Sequence, residues 1–281
     1  MHPITYKFLT RFYGFYLNFL VLFSKKMAAK KAFELFTKVR KGKILPHQEK
    51  YLHLAQDEFL TIGEHRVQSY RWKGTKERVL LLHGWESNSF RWRNLIEKLR
   101  EADFDIIAFD APGHGHSTGN QLHLPLYEEA LNHLSKKYDP DYLIGHSMGG
   151  FTILYHHYVR RETLIKKIVT IGSPSEFHEV MAHYQQLLRF NDTVLQALDA
   201  YVKSKFGMGI RDFSSLKFVR TIDKKGLLLH DKFDLITKYE ASERLVAHWK
   251  GSTLISTEGL GHSMHQEHVN EQIIDFLKSR E

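Results

Sequence analysis

The sequence DYLIGHSMGGFTILY, residues 141–155, decides the fold. Its apolar first part predicts a buried strand and its second part predicts a helix, with Ser147 at the sharp turn between them. Gly145 and Gly149 allow the strand and helix backbones to approach where a side chain would clash. A hydroxyl held at such a turn is exposed above a sheet edge. The next backbone N–H, that of Met148, opens the helix and is suited to bind an oxyanion.

A serine hydroxyl becomes a nucleophile only with help from a base, which a carboxylate must in turn orient. At a turn of this kind, the acid and then the histidine follow the serine along the chain. The acid candidates, Asp231 and Asp234, follow the apolar run Gly226–His230, which predicts a buried parallel strand. The base candidate, His262, lies in a glycine-rich loop after the predicted strand Thr253–Thr257.

Four signatures in this order resemble those of the α/β-hydrolase-fold serine hydrolases of the esterase and lipase type. They are the LLHGW sequence at 81–85, DAPGHGHS at 110–117, the turn around Ser147, and the pair Asp234 and His262. Together they cover roughly Glu58 to the end of the chain. The resemblance implies an α/β fold with a mostly parallel, doubly wound sheet, a helical lid and, in this chain, an N-terminal helical extension.

The resemblance also implies a role for each matching residue. Ser147 corresponds to the nucleophile, His262 to the base and Asp234 to the acid, while the backbone N–H groups of Trp85 and Met148 correspond to the oxyanion hole. The sequence departs from the family at Asp231, where a glycine is usual. Counting from His230, Asp234 falls at the family's acid position, and Asp231 is interpreted as a solvated loop aspartate.

No cofactor or metal is predicted. Residues 110–117 contain two glycines but lack both the P-loop ending and the dinucleotide-binding fingerprint, so Asp110 and Ser117 are expected to be structural. His262, His265 and His268 recur every third residue, yet no cysteine or acidic trio completes a ligand set. The chain has no cysteine at all, which excludes disulfides and a cysteine nucleophile and is compatible with a reducing compartment.

The basic excess lies entirely before the predicted catalytic domain. Residues 1–50 contain 11 Lys and Arg and two acidic residues, and the rest of the chain is nearly neutral. No nucleic-acid-binding motif accompanies this charge, so nucleic acid is not an expected partner. The run Phe12–Phe23 is uncharged but marginal as a membrane span. Two interpretations stay open for residues 1–50, a helix in a membrane interface and a helix packed on the domain.

The order of predicted elements suggests two regions. Residues 1–57 form a basic, aromatic helical extension, and residues 58–281 form the α/β-hydrolase domain. A hairpin opens this domain, and strands then alternate with helices from Val79 onward, which is typical of a parallel sheet. The pattern at about 174–222 is helical, and the resemblance implies that this insertion forms a lid, whose apolar content favours an apolar acyl group.

The expected function is that of a carboxylesterase that cleaves a small-molecule ester with an apolar acyl group through an acyl-enzyme. Thioesterase, lipase, C–C bond hydrolase and acyltransferase chemistry use the same residues and remain alternatives. A different class, a non-catalytic binding protein of this fold at a membrane, is a further alternative. The expected location is the cytoplasm, with the inner membrane face as a peripheral site, and the sequence leaves the oligomeric state open.

Overall fold

A computed structural model describes residues 3–161 and 164–279, with residues 3–8 described by their backbone alone. The described chain divides into two compact units. One unit contains the residues through Lys38 together with Glu176–Ser214, and the other contains Val39–Ser175 and the residues from Ser215 onward. The first helices therefore group with part of the insertion.

The larger unit is built on an eight-stranded sheet formed by the described residues, in the order β1-β2-β4-β3-β5-β6-β7-β8. β1 and β2 form the predicted hairpin, β2 also runs antiparallel to β4, and all later pairs are parallel. The strands are β1 Gln56–Ile62, β2 His65–Trp72, β3 Arg78–Leu82, β4 Asp105–Phe109, β5 Tyr142–His146, β6 Lys167–Ile171, β7 Lys225–Asp231 and β8 Ser252–Thr257.

Helices cover both faces of this sheet, which explains why its central strands are apolar throughout. On one face, Leu81 and Ile144 join a core with Leu95 and Ile273 from two of the helices. On the other face, Phe109 contacts Tyr127 with ring centroids 5.7 Å apart. The helices of this unit are α3 Pro46–Leu52, α4 Arg93–Glu101, α5 Leu124–Tyr138, α6 Met148–Arg160, α9 Ser215–Val219, α10 Glu240–His248 and α11 Glu267–Lys278, with a 3-10 turn at Ser89–Trp92.

The strand order positions the candidate site. β3 lies between β4 and β5, so the chain reverses its direction of travel across the sheet there. Ligands of open α/β sheets bind at the carboxyl ends of the strands near such a reversal. Trp85 follows β3, Ser147 follows β5, and Asp234 and His262 follow β7 and β8. All four therefore lie at one edge of the sheet.

The smaller unit is helical. It contains α1 Pro3–Phe23, α2 Lys25–Thr37, α7 Phe177–Leu188 and α8 Asp192–Phe206. α1 is tied to the turn between α7 and α8, since the Asn18 side chain donates to Arg189 O at 3.1 Å and accepts from Asn191 N at 2.7 Å. α2 packs on α8, with the Phe33 ring 5.4 Å from the Tyr201 ring. One face of each N-terminal helix is thus packed on the helices of the insertion, as the packed-helix interpretation expects.

Element boundaries agree with the sequence to within a few residues. The sequence pattern predicts a helix at Leu124–Tyr138, and α5 has those bounds, while α7, α8 and α9 lie in the predicted insertion. The pattern also predicts a short helix that ends near Gln56, but α3 stops at Leu52 and β1 begins at Gln56. For the last helix the pattern predicts an end at Arg280, which lies outside the described residues. Within the described chain, no helix combines the length with the apolarity that crossing a membrane requires.

Candidate active site

Ser147 occupies a backbone conformation that few residues adopt. Its φ is 52° and its ψ is −118°, at the junction where β5 ends and α6 begins. Holding a residue with a side chain in this backbone region costs of order 1–3 kcal/mol, so the surrounding structure must keep it there. Here Ser147 N donates to Ile171 O of β6 at 2.8 Å. The turn is therefore anchored to the neighbouring strand rather than left to its own preference.

Close backbone approach explains the two glycines around Ser147. A Cβ on Gly145 would lie 2.5 Å from the backbone of Gly149, and a Cβ on Gly149 would lie 2.3 Å from Leu82 O. Neither position has room for a side chain, because the start of α6 lies directly against the ends of β3 and β5. The prediction that these glycines allow the strand and helix backbones to approach is confirmed.

The acid and base candidates contact each other. His262 Nδ1 lies 2.7 Å from Asp234 Oδ2. A carboxylate only accepts hydrogen bonds, so Nδ1 carries the proton and Nε2 presents a lone pair. Burial alone would raise the pKa of Asp234, but hydrogen bonds from His230 and His262 outweigh it and hold that pKa well below its usual range. The carboxylate is therefore ionised at neutral pH, as the orienting partner of an imidazole needs to be.

Neighbouring groups fix the loop that carries Asp234. Its Oδ1 accepts from Ile236 N at 2.8 Å and from Thr237 N at 3.0 Å. The buried ring of His230 donates from Nε2 to Thr237 O at 2.9 Å, and the same nitrogen lies 3.4 Å from Asp234 Oδ2. Oδ2 is thereby directed at His262.

Asp231 is not a solvated aspartate, which corrects the interpretation from the sequence. Its side chain is fully buried and accepts from Thr257 Oγ1 at 2.9 Å and from Leu260 N at 2.8 Å. Asp231 thus joins the end of β7 to the loop that carries His262. Its partners lie on β8 and in the loop beyond it, so no local sequence pattern points to this role.

Two further residues hold the His262 loop, and the sequence argument missed both. The His146 ring lies against the His262 ring, with centroids 4.7 Å apart, and its Nε2 donates to His262 O at 2.8 Å. Burial first, and then the charges of Arg91 and His262, hold the pKa of His146 well below its usual range. Arg91 itself donates to Ser263 O at 2.8 Å. The loop is thus fixed on both sides of the candidate base.

His146 also connects Ser147 to the pair of His262 and Asp234, because it precedes Ser147 in the chain and contacts His262. A Cβ on Gly84 would lie 2.8 Å from His146 Nδ1 and 3.1 Å from Ser147 Cβ, and one on Gly172 would lie 3.3 Å from His262 Nδ1. The glycines leave the space around the three side chains open. Within the described residues, Ser147 Oγ has no hydrogen bond to His262, a contact that often tightens only when substrate binds.

The backbone N–H groups of Trp85 and Met148 are the two oxyanion candidates. Trp85 follows the end of β3, and Met148 is the first residue of α6. Neither N–H donates a hydrogen bond to any described residue. The first N–H groups of a helix lack partners within it, so they are available to an anion. The chemistry that this arrangement can perform is attack by an oriented hydroxyl on a carbonyl whose oxygen becomes negative.

Among the described residues, no group of three or more His, Cys, Asp or Glu side chains is arranged to hold a metal ion. His83 and His114 have other functions in this region. His83 Nε2 accepts from Ala111 N at 2.9 Å, and His114 Nε2 accepts from Glu86 N at 3.0 Å. These bonds fix the loops that follow β3 and β4, including the segment around Trp85.

Comparisons with known proteins agree with this architecture. The family model described as alpha/beta hydrolase fold matches residues 77–206. A pimeloyl-[acyl-carrier protein] methyl ester esterase from Vibrio vulnificus is 27% identical over 52% of this chain and 54% of its own length. An uncharacterized abhydrolase domain-containing protein from Dictyostelium discoideum is 22% identical over 71% of this chain and 25% of its own length. The chain thus spans between a quarter and about half the length of these curated relatives.

Solved structures show the same fold. The crystal structure of a putative lipase from Acinetobacter baumannii superimposes with a TM-score of 0.64 at 18% identity, over 83% of this chain and 96% of that one. The strand order, the turn at Ser147 and these similarities lead to one assignment: the described chain has the α/β-hydrolase fold.

Proposed function

We propose that the protein is a serine esterase that cleaves a carboxylic ester with an apolar acyl group. The observation that carries the proposal is the position of Ser147. Its strained turn places it at the sheet edge where His262 and Asp234 are paired at 2.7 Å. The esterase relatives support the class of reaction at low identity.

The reaction begins with attack of Ser147 Oγ on the ester carbonyl carbon, while His262 Nε2 accepts the hydroxyl proton. The carbonyl oxygen becomes an oxyanion, and the N–H groups of Trp85 and Met148 stabilise it. Removing one such donor typically costs about 2.7–4 kcal/mol in the transition state. The imidazolium then protonates the leaving alcohol, and the C–O bond to that alcohol breaks. The acyl group remains on Ser147 as an ester.

Water completes the cycle. His262 Nε2 removes a proton from the water as its oxygen attacks the acyl carbon, and the second oxyanion forms in the same position. When this intermediate collapses, the proton returns from His262 to Ser147 Oγ and the carboxylic acid leaves. Asp234 remains a carboxylate throughout and stabilises the imidazolium.

Hydrolysis of p-nitrophenyl esters from acetate to palmitate tests the proposal. We expect turnover by the parent and a fall of about 10^4-fold or more in kcat for Ser147→Ala, because nucleophile and base act as a unit. Ser263→Ala, at the exposed residue that follows His262, is the matched control and should keep most of the activity. If Ser147→Ala cleaved these esters as fast as the parent, the proposal would be wrong. A preference for long acyl chains would support the apolar acyl group.

A further inference from the structure

α1 has two apolar faces on opposite sides. The first face contains Gly14, Leu17 and Val21, and it is buried within the smaller unit. Gly14 lies so close to the end of α7 that an added Cβ would be 1.7 Å from Leu188 O. This face is fully used in packing, and the contacts of Asn18 described above hold it in place.

The second face consists of Phe12, Phe15, Phe19, Leu22 and Phe23, and we call it the aromatic face. These side chains are between 51% and 76% exposed. They recur three, four and one residues apart, so at 100° per residue they share one side of the helix. That side is opposite to the face of Gly14, Leu17 and Val21. Contiguous exposed apolar surface of this kind marks an interaction site, whereas single exposed residues need no explanation.

The charge next to the aromatic face identifies the partner. Lys25, Lys26, Lys30 and Lys31 follow directly in α2, and all four are exposed. Glu34 pairs with Lys31 at 2.9 Å and is 4.0 Å from Lys30, while Lys25 and Lys26 form no ion pair with any described residue. Up to Lys38, the sequence has seven basic residues and one acidic residue. A second copy of this chain would bring like charge against like charge, whereas an anionic lipid surface would neutralise it.

We propose that α1 binds to the surface of an anionic membrane, with the aromatic face among the headgroups and upper acyl chains. Lys25 and Lys26 then lie near lipid phosphates and carboxylates. Aromatic and aliphatic side chains beside lysines are the composition of helices that lie in the membrane plane. Because the opposite face of α1 packs on α7 and α8, only one side of the helix is available to lipid. This inference is independent of the proposed esterase activity.

Vesicle sedimentation with the full-length protein tests the inference. The probes are vesicles of phosphatidylcholine alone and of phosphatidylcholine mixed with phosphatidylserine. We expect the parent to sediment with the mixed vesicles and to be released by salt. Phe15→Glu with Leu22→Glu should lower the partition coefficient at least about tenfold, because two apolar side chains that would be buried in lipid are replaced by charged ones. Leu54→Glu with Leu164→Glu is the matched control, as these leucines are 67% and 64% exposed elsewhere.

A second variant separates charge from apolar burial. Lys25→Gln with Lys26→Gln should weaken binding to the mixed vesicles by about 10- to 30-fold, since each lysine near an anionic surface contributes about 1 kcal/mol. It should leave any binding to phosphatidylcholine vesicles unchanged. Hydrolysis of a water-soluble ester should be the same in all variants, so loss of vesicle binding is distinguishable from loss of catalysis.

Two outcomes would overturn the inference. Vesicle binding by the parent that the Phe15 and Leu22 variant retains would place the lipid contact elsewhere on the chain. Absence of vesicle binding, together with a dimer that the same variant converts to a monomer in sedimentation velocity, would assign the aromatic face to contact between copies.

Discussion

Ser147 and Asp231 show how neighbouring strands determine the behaviour of single residues. The serine keeps a φ of 52° because its N–H is bound to Ile171 O and its flanking glycines admit close backbone contact. Asp231 is ionisable and fully buried, and burial would raise its pKa. The hydrogen bonds from Leu260, Thr257 and Phe233 outweigh that effect and lower it. Both residues depend on chain segments that are distant in sequence.

Neutralising Asp234 is expected to lower kcat, whereas neutralising Asp231 is expected to lower stability. Asp234→Asn should lower kcat by about 10^3- to 10^4-fold, because an amide no longer holds the imidazole of His262 in the required tautomer. Its effect on KM should be small. Steady-state kinetics on a p-nitrophenyl ester measures both parameters.

Asp231→Asn is the matched comparison. We expect it to lower the free energy of unfolding by about 1.5–3 kcal/mol, since hydrogen bonds to a charged acceptor are lost in the interior. Its kcat should fall much less than that of Asp234→Asn. If the Asp231 variant lost as much kcat as the Asp234 variant while remaining folded, the assignment of the acid would be wrong.

At the residue scale, those members of the candidate site that belong to a local pattern can be proposed from the sequence alone. Ser147, its glycines and the Trp85 position can be recognised from a few neighbouring letters. The tethers of the His262 loop could not be recognised in this way, because His146 and Arg91 contact residues more than a hundred positions away. Asp231 was misread for the same reason: its partners lie on the adjacent strand and beyond.

At the scale of elements, the alternation of apolar runs with amphipathic segments was enough to predict the sheet and the succession of strands and helices along the chain. Buried parallel strands such as β4 are apolar throughout, so their pattern is easily read. The association of α1 and α2 with α7 and α8 could not be read, because both pairs are amphipathic and a sequence does not say which apolar face meets which. The exposed aromatic face of α1 likewise appears only once its buried face is known.

Packing of α1 leads to a prediction about Gly14. Replacing a glycine inside a helix with alanine usually stabilises it by up to about 1 kcal/mol. Here the added methyl group would overlap Leu188 O, so we expect Gly14→Ala to destabilise the smaller unit by about 1–3 kcal/mol instead. Chemical denaturation measures the change. Phe15→Ala, on the exposed side of the same helix, is the control and should change stability by less than about 0.5 kcal/mol. Stabilisation by Gly14→Ala would contradict the described packing of α1.

At the scale of the whole molecule, buried neutral histidines make stability depend on pH. Burial, opposed in part by a bond to Gly84 O, lowers the pKa of His83 to about 4. Burial and the charge of His83 lower that of His114 to about 3. In the unfolded chain both groups take up protons near pH 6.5. The unfolded state therefore binds more protons in acid, and the stability present above pH 6.5 is lost as the pH falls towards about 4.

Thermal unfolding between pH 7 and pH 4 measures this dependence. Each histidine should contribute a slope of at most about 1.4 kcal/mol per pH unit in this window. His114→Gln keeps an acceptor for Glu86 N but does not titrate, so its Tm should fall less steeply than that of the parent. A variant with the same slope as the parent would show that the pKa of His114 in the folded protein equals its pKa in the unfolded chain, which would contradict this account.

The central claim is that Ser147 forms a covalent acyl intermediate, and intact-mass spectrometry tests it most directly. A rapidly quenched reaction of the full-length protein with a p-nitrophenyl ester should show a mass increase of one acyl group, located on Ser147 by peptide mapping. Ser147→Ala should show no increase, and Asp234→Asn should form the adduct slowly. An acyl group on another residue, or ester turnover without any adduct in the parent and the slowed variants, would contradict the account.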